Sequence, residues 1–158
     1  VDRDAKAPRV SRRADAVRAA ARLARVAGAA LAGAELTLAQ YRVLVFLDRG
    51  DRPASDVAAL LDVTPSTVTS VVDGLVGRDL VRRGTDASDR RRVVLQLTVE
   101  GRRVLRRGDE LVAERLGRLL DRLGDDQAEE VLRGLENLNG AMEIALEERF
   151  GRPPGSTP

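Results

Sequence analysis

Arg82-Arg83-Gly84-Thr85-Asp86-Ala87-Ser88-Asp89-Arg90-Arg91-Arg92-Val93-Val94-Leu95-Gln96-Leu97-Thr98 reads as a β-hairpin. Val93, Leu95 and Leu97 alternate with Val94, Gln96 and Thr98, the two-residue period of a half-buried strand. Gly84 and the Thr-Asp-Ala-Ser-Asp cluster supply turn chemistry just before it. Asp89 and three successive arginines, Arg90, Arg91 and Arg92, fall at the tip. A hairpin that presents guanidinium groups is suited to a nucleic-acid groove, although a solvated loop would carry the same charge. The residues upstream decide between the two.

Upstream lie two short helices and a tight turn. The first opens near Pro53, a residue suited to a first helical position, and buries Val57, Leu60 and Leu61. Asp62-Val63 turns the chain. Thr64-Pro65 then gives a second start, an N-cap hydroxyl followed by proline. The second helix buries Val68, Val71, Val72 and Leu75, and its other face carries Ser66, Thr67, Thr69, Ser70 and Asp73. Two short helices followed by a basic hairpin describe a winged helix-turn-helix, whose second helix enters a major groove. Small hydroxyl side chains at that helix's start let its N-terminus approach phosphates closely. The DNA-contacting set is therefore Thr64, Ser66, Thr67, Thr69, Ser70, Arg82, Asp89, Arg90, Arg91 and Arg92.

The 158 residues are 43% hydrophobic but only 2% aromatic, so the core must be built from Leu, Val and Ala. Without Cys there is no thiolate chemistry, and without His the commonest metal ligand and general base is gone. Asp125-Asp126 and Glu129-Glu130 sit at a helix start, where the macrodipole explains them without catalysis. No phosphate-binding glycine loop follows a strand. The expectation is a non-enzyme with neither cofactor nor metal. Arginine interrupts every apolar run before it reaches membrane-spanning length, which points to a cytoplasmic protein. Net charge is +2, yet residues 78–107 hold ten arginines against four acids, and residues 108–150 hold five against twelve. A basic module joined to an acidic one fits a chain that meets a polyanion at one end.

Long helices flank this reader. One runs from Ser11 to about Leu31, with Ala14, Val17, Ala21, Ala24 and Leu31 at heptad-like spacing. Another opens at Thr37, where Gln40 completes a capping box, and stops at Gly50. Thr98 caps a third that carries Val104, Leu105, Val112, Leu116, Leu119 and Leu123, and Gly124 breaks it. The last repeats Val131, Leu135, Leu138, Met142 and Ala145. These stripes exceed what one small lobe covers, so a homodimer is expected, with Val17, Leu31, Leu119, Leu138 and Met142 at or near its interface. The fold class is mainly α with a small β-hairpin wing, a winged helix-turn-helix lobe joined to a helical dimerisation region. The expected division is a disordered tail (1–9), a dimerisation helix (10–35), the DNA-binding domain (36–98), dimerisation helices (99–150) and a second disordered tail (151–158).

From Leu36 to about Leu105 the chain resembles the MarR family of bacterial transcriptional regulators. The resemblance is carried by Leu36-Thr37-Leu38-Ala39-Gln40-Tyr41-Arg42-Val43-Leu44, Asp56-Val57-Ala58-Ala59-Leu60-Leu61 and Thr64-Pro65-Ser66-Thr67-Val68-Thr69. It continues through Val72-Asp73-Gly74-Leu75, Leu80-Val81-Arg82-Arg83, Asp89-Arg90-Arg91 and Leu95-Gln96-Leu97-Thr98-Val99-Glu100-Gly101. It implies a triangular homodimer with recognition helices in successive major grooves and wings in the flanking minor grooves. An Asp-x-Arg pair in the family's wing maps onto Asp89 and Arg91, the aspartate orienting the arginine. Many members carry arginine where this chain has Ser70, so major-groove readout here is expected to rest on hydroxyls and backbone.

The function so read is a sequence-specific regulator of a pseudo-palindromic operator, a repressor released by a small organic ligand. The alternative is a constitutive winged-helix module, architectural or protein-binding, that senses nothing. With thiol and imidazole absent, a small organic ligand is the expected signal, and the resemblance implies an organic acid or phenol, because many members of the family respond to phenolic or aromatic acids. Tyr41 lies on the helix that borders the ligand crevice of the resembling family. Arg18 and Arg22, one turn apart, are spaced to meet a carboxylate. The other reading puts Tyr41 in the core and both arginines in solvent.

Overall fold

A computed structural model describes residues 7–85 and 93–151. The first helix, α1 (Ala7–Leu31), begins before Ser11 and takes in residues 7–9, which were expected in a loose tail. Pro8 falls in its first turn, where a missing N–H breaks no helical bond. A short 3-10 turn (Ala32–Ala34) leads to α2 (Leu38–Asp48). The Thr37 hydroxyl accepts from the Gln40 N–H at 3.2 Å while the Gln40 side chain accepts from the Thr37 N–H at 2.9 Å, the reciprocal box expected from the sequence.

Next comes β1 (Arg52–Pro53), a strand that its sequence did not announce. Pro53 is thus the extended residue capping α3 (Ala54–Leu61) rather than its first helical position. Asp62, left-handed at φ 54°, makes the tight turn, and α4 (Pro65–Gly77) follows. The hairpin strands are β2 (Val81–Thr85) and β3 (Val93–Leu97), antiparallel in the register Val81–Leu97 to Thr85–Val93. β1 pairs with the other edge of β3, Arg52 opposite Leu95, so β3 is central. Leu95 and Leu97 face the core as the alternation predicts. Val93, at the outer end, is exposed, whereas Val94, opposite Pro53 and Gly84, is buried.

Thr98 caps α5 (Val99–Leu120) by accepting from the Gly101 N–H at 2.9 Å. This helix stops three residues short of Leu123, and Gly124 precedes α6 (Asp125–Phe150). Leu44, Leu47, Val57, Leu75, Leu80 and Leu95 form the centre of one continuous core beneath α2, α3, α4 and the sheet. Where α1, α2 and α5 meet, a side chain at Gly108 would press on Leu31 (3.1 Å) and on the Tyr41 ring (3.4 Å).

Leu31, expected at a subunit interface, is instead fully buried within its own chain and has no surface to offer a partner. It belongs to the last turn of α1, which folds under α5, whereas the rest of the α1 stripe does not. Val17, Leu119, Leu138 and Met142 are all exposed, and α6 contributes no buried residue. No single helix among the described residues is long and apolar enough to cross a membrane.

Candidate nucleic-acid interface

The helix-turn-helix exposes one polar face. Thr64, Ser66, Thr67, Thr69 and Ser70 are all exposed, on the first two turns of α4 and the residue before it. The Thr64 hydroxyl does not cap a backbone N–H, as its position suggested. It bonds the hydroxyls of Ser66 and Thr67, each at 3.0 Å. None of the first N–H groups of α4 is thereby taken by Thr64, and a helix start of this kind favours an anion.

Sequence reasoning found no cation on this face, and the fold supplies one from the hairpin. Arg83 of β2 donates to the Asp73 carboxylate of α4 at 2.6 Å, both side chains about half exposed. Recognition helix and wing base are thus joined by an ion pair between residues ten apart, which helical periodicity cannot reveal. Arg82 alternates with Arg83 and is exposed. Asp89, Arg90, Arg91 and Arg92 lie outside the described residues. On the far side of α3, Arg42 donates to the Leu60 carbonyl at 2.8 Å and ties α2 to the last turn of α3.

A cavity of about 490 Å³ opens between α2 and the C-terminal half of α6. Its lining is mainly apolar, with Val45, Phe46, Met142 and Phe150, and also includes Tyr41, Arg42, Arg49, Glu143 and Arg149. Arg49 pairs there with Glu143. Arg18 and Arg22 do not join Tyr41 at this cavity. Both are exposed on α1, and Arg18 pairs with Asp15 at 3.2 Å. The cations that do line it sit on α2 and α6, brought together by tertiary packing rather than by spacing along one helix.

The Tyr41 hydroxyl donates to Asp109 of α5 at 2.6 Å. Burial, then this bond, then the carboxylate charge push its pKa above the ordinary 10.0. Tyr41 is the only tyrosine, so phenolate absorbance reports it alone. On raising the pH, phenolate is expected to appear only well beyond the usual midpoint. The folded chain holds this proton more tightly than the unfolded one. The associated stability is therefore complete below pH about 10 and is lost as the pH rises from there towards the folded value. An ordinary midpoint in the folded protein would show that the Tyr41–Asp109 bond does not form.

Among known proteins, a family model described as MarR family matches residues 34–92. The HTH-type transcriptional regulator YfiV of Bacillus subtilis (strain 168) is 31% identical over 115 residues, which cover 72% of each chain. Among solved structures, the transcriptional repressor CouR bound to a 23-mer DNA duplex is 34% identical, with a TM-score of 0.62 over 79% of this chain and 89% of its own. A MarR family protein of Mycobacterium tuberculosis, RV2887, in complex with p-aminosalicylic acid, is 29% identical, with a TM-score of 0.64 over 78% and 94%.

Proposed function

This chain belongs to the MarR family and is a transcriptional regulator with a DNA-binding winged-helix fold; from that premise we propose that it works as a homodimer on a pseudo-palindromic operator, as a repressor released by a small organic acid or phenol. The observation that carries the DNA part is the exposed hydroxyl face of α4 beside a hairpin whose arginines follow at once. Ser66, Thr67, Thr69 and Ser70 meet the major groove, and the α4 start meets phosphate. Arg82, Asp89, Arg90, Arg91 and Arg92 serve the flanking minor groove. Two copies joined through the exposed stripes of α1, α5 and α6 place two such readers on one duplex.

The cavity supports the ligand part. Its volume suits a small organic molecule, and an apolar lining with three arginines against one glutamate suits an aromatic acid. RV2887 holds such an acid. A ligand shifts the regulator off DNA only by binding the DNA-incompetent arrangement more tightly.

Arg91→Ala tests the wing. The expected loss is about 1–3 kcal/mol of operator affinity at matched salt, the scale of one groove contact. Asp89→Ala acts in the same direction and by less, since it removes the orienting partner and leaves the cation. Wild-type affinity in both variants would overturn the wing assignment.

A further inference from the structure

Arg52 is buried, with 6% of its surface exposed, and no carboxylate reaches it among the described residues. Its two terminal nitrogens donate to the carbonyl oxygens of Phe150 at 2.8 Å and Gly151 at 2.9 Å, at the end of α6. Its guanidinium carbon stands 5.2 Å from the centre of the Phe46 ring, which meets Phe150 edge to face at the same separation. Nε has no hydrogen-bond partner. A cation here complements the negative end of the α6 dipole, but burying it with one N–H unpaired is costly. Stability alone would favour an apolar residue at such a position.

What this arrangement accomplishes is connection. α6 contributes no buried residue and leaves Val131, Leu132, Leu138, Met142 and Ile144 exposed, while its tip is fastened to the DNA-binding lobe at Arg52. Arg52 belongs to β1, paired directly with Leu95 of β3. β3 is the central strand, and with β2 it leads into the hairpin tip. A single side chain thus links the end of the last helix to the base of the wing. Phe46 and Phe150, which pack around it, also wall the cavity.

We propose that Arg52 is a positioning residue for the wing: by holding the end of α6 against β1 it sets the angle at which the hairpin meets DNA. The proposal rests on the reading that the hairpin contacts DNA. Lysine cannot replace it fully, because an ammonium lacks the planar fork that serves two carbonyls while stacking on a ring.

The test is a double-mutant cycle between Arg52→Met and Arg91→Ala, read as operator affinity of the full-length protein at fixed salt. Methionine keeps the packing and removes both bonds and the buried charge. Arg52→Met is expected to melt no lower than wild type and to keep its oligomeric mass. It should bind operator about five- to tenfold more weakly, with minor-groove protection by the wing lost from the footprint and major-groove protection kept. Made on top of Arg91→Ala, it should cost less than twofold, because the contact it positions is already gone. Should Arg52→Met fail to fold, Arg52→Lys carries the same comparison. Wild-type affinity in the folded variant, or a loss fully additive with that of Arg91→Ala, would overturn the positioning role alone. If Arg91→Ala itself costs nothing, the wing reading falls and this proposal with it.

Discussion

Gly101→Ala is expected to destabilise the protein by about 3 kcal/mol or more, among the largest effects of any single methyl group in this chain. A Cβ built there would lie 2.0 Å from the carbonyl oxygen of Leu80 and 2.7 Å from Leu97 Cδ1. The carbonyl is not free to retreat, because it accepts from the Thr98 N–H at 3.1 Å and from the Thr98 hydroxyl at 3.2 Å. The helix cannot retreat either, since the Gly101 N–H is the one that Thr98 caps. The added group therefore has to part α5 from the residues entering β2, and the sheet and α5 lose their common seat. A domain of this size typically holds roughly 5–15 kcal/mol in reserve, so the melting temperature should fall by roughly 10 °C. Gly117→Ala is the control. Nothing lies within 4 Å of its added carbon, and alanine in a helix interior should raise stability by about 0.5–1 kcal/mol. If Gly101→Ala melts with wild type, α5 does not approach Leu80 this closely.

Leu138→Glu is expected to convert a dimer into single chains and to weaken operator binding by about 10²–10⁴, the gain normally conferred by tethering two half-site contacts. Leu138 is 55% exposed, Met142 51% and Ile144 62%, on a helix that buries none of its own residues. Apolar side chains left in water along a 26-residue helix are a surface for a partner, and a carboxylate at their centre is left unpaired when that surface closes. Sedimentation reads the assembly, and titration of an operator duplex reads the affinity. A variant that stays dimeric with wild-type affinity would move the interface off α6.

What the sequence disclosed was local. The capping box at Thr37 and Gln40, the cap at Thr98 and the left-handed turn at Asp62 each depend on residues within four positions, and each is present. Helix faces were readable for the same reason, as were the paired strands of the hairpin. The features that escaped join distant residues. β1 is two residues long and is a strand only because β3 lies beside it, with Arg52 opposite Leu95 and Pro53 opposite Val94. Arg52 meets carbonyls 98 and 99 residues away, and Tyr41 meets a carboxylate 68 away. Leu31 is covered by its own chain, and a heptad shows which residues share a stripe but not where the stripe stops being covered. Spacing on one helix pairs Arg18 with Arg22 but does not show what they face, and the cavity beside Tyr41 draws its cations from two other helices. The hydroxyl face of α4 could be read directly, but the ion pair of Asp73 with Arg83 needed the hairpin to fold back upon it.

The unburied length of α6 also ties the regulator's competence to its abundance. A helix that its own chain holds mainly near its C-terminal end relies elsewhere on local bonds, which leave isolated helices marginal in water. If a second copy covers its stripe, completion of α6 becomes a bimolecular event governed by mass action, and dilution unwinds what concentration consolidates. Copy number then acts as a threshold. On the proposed reading as a dimeric repressor, below the dissociation constant the stripe of α6 is uncovered and operators stand open. Above it the stripe is covered and two readers act on one duplex, so on the same reading synthesis rate by itself bears on the genes it governs.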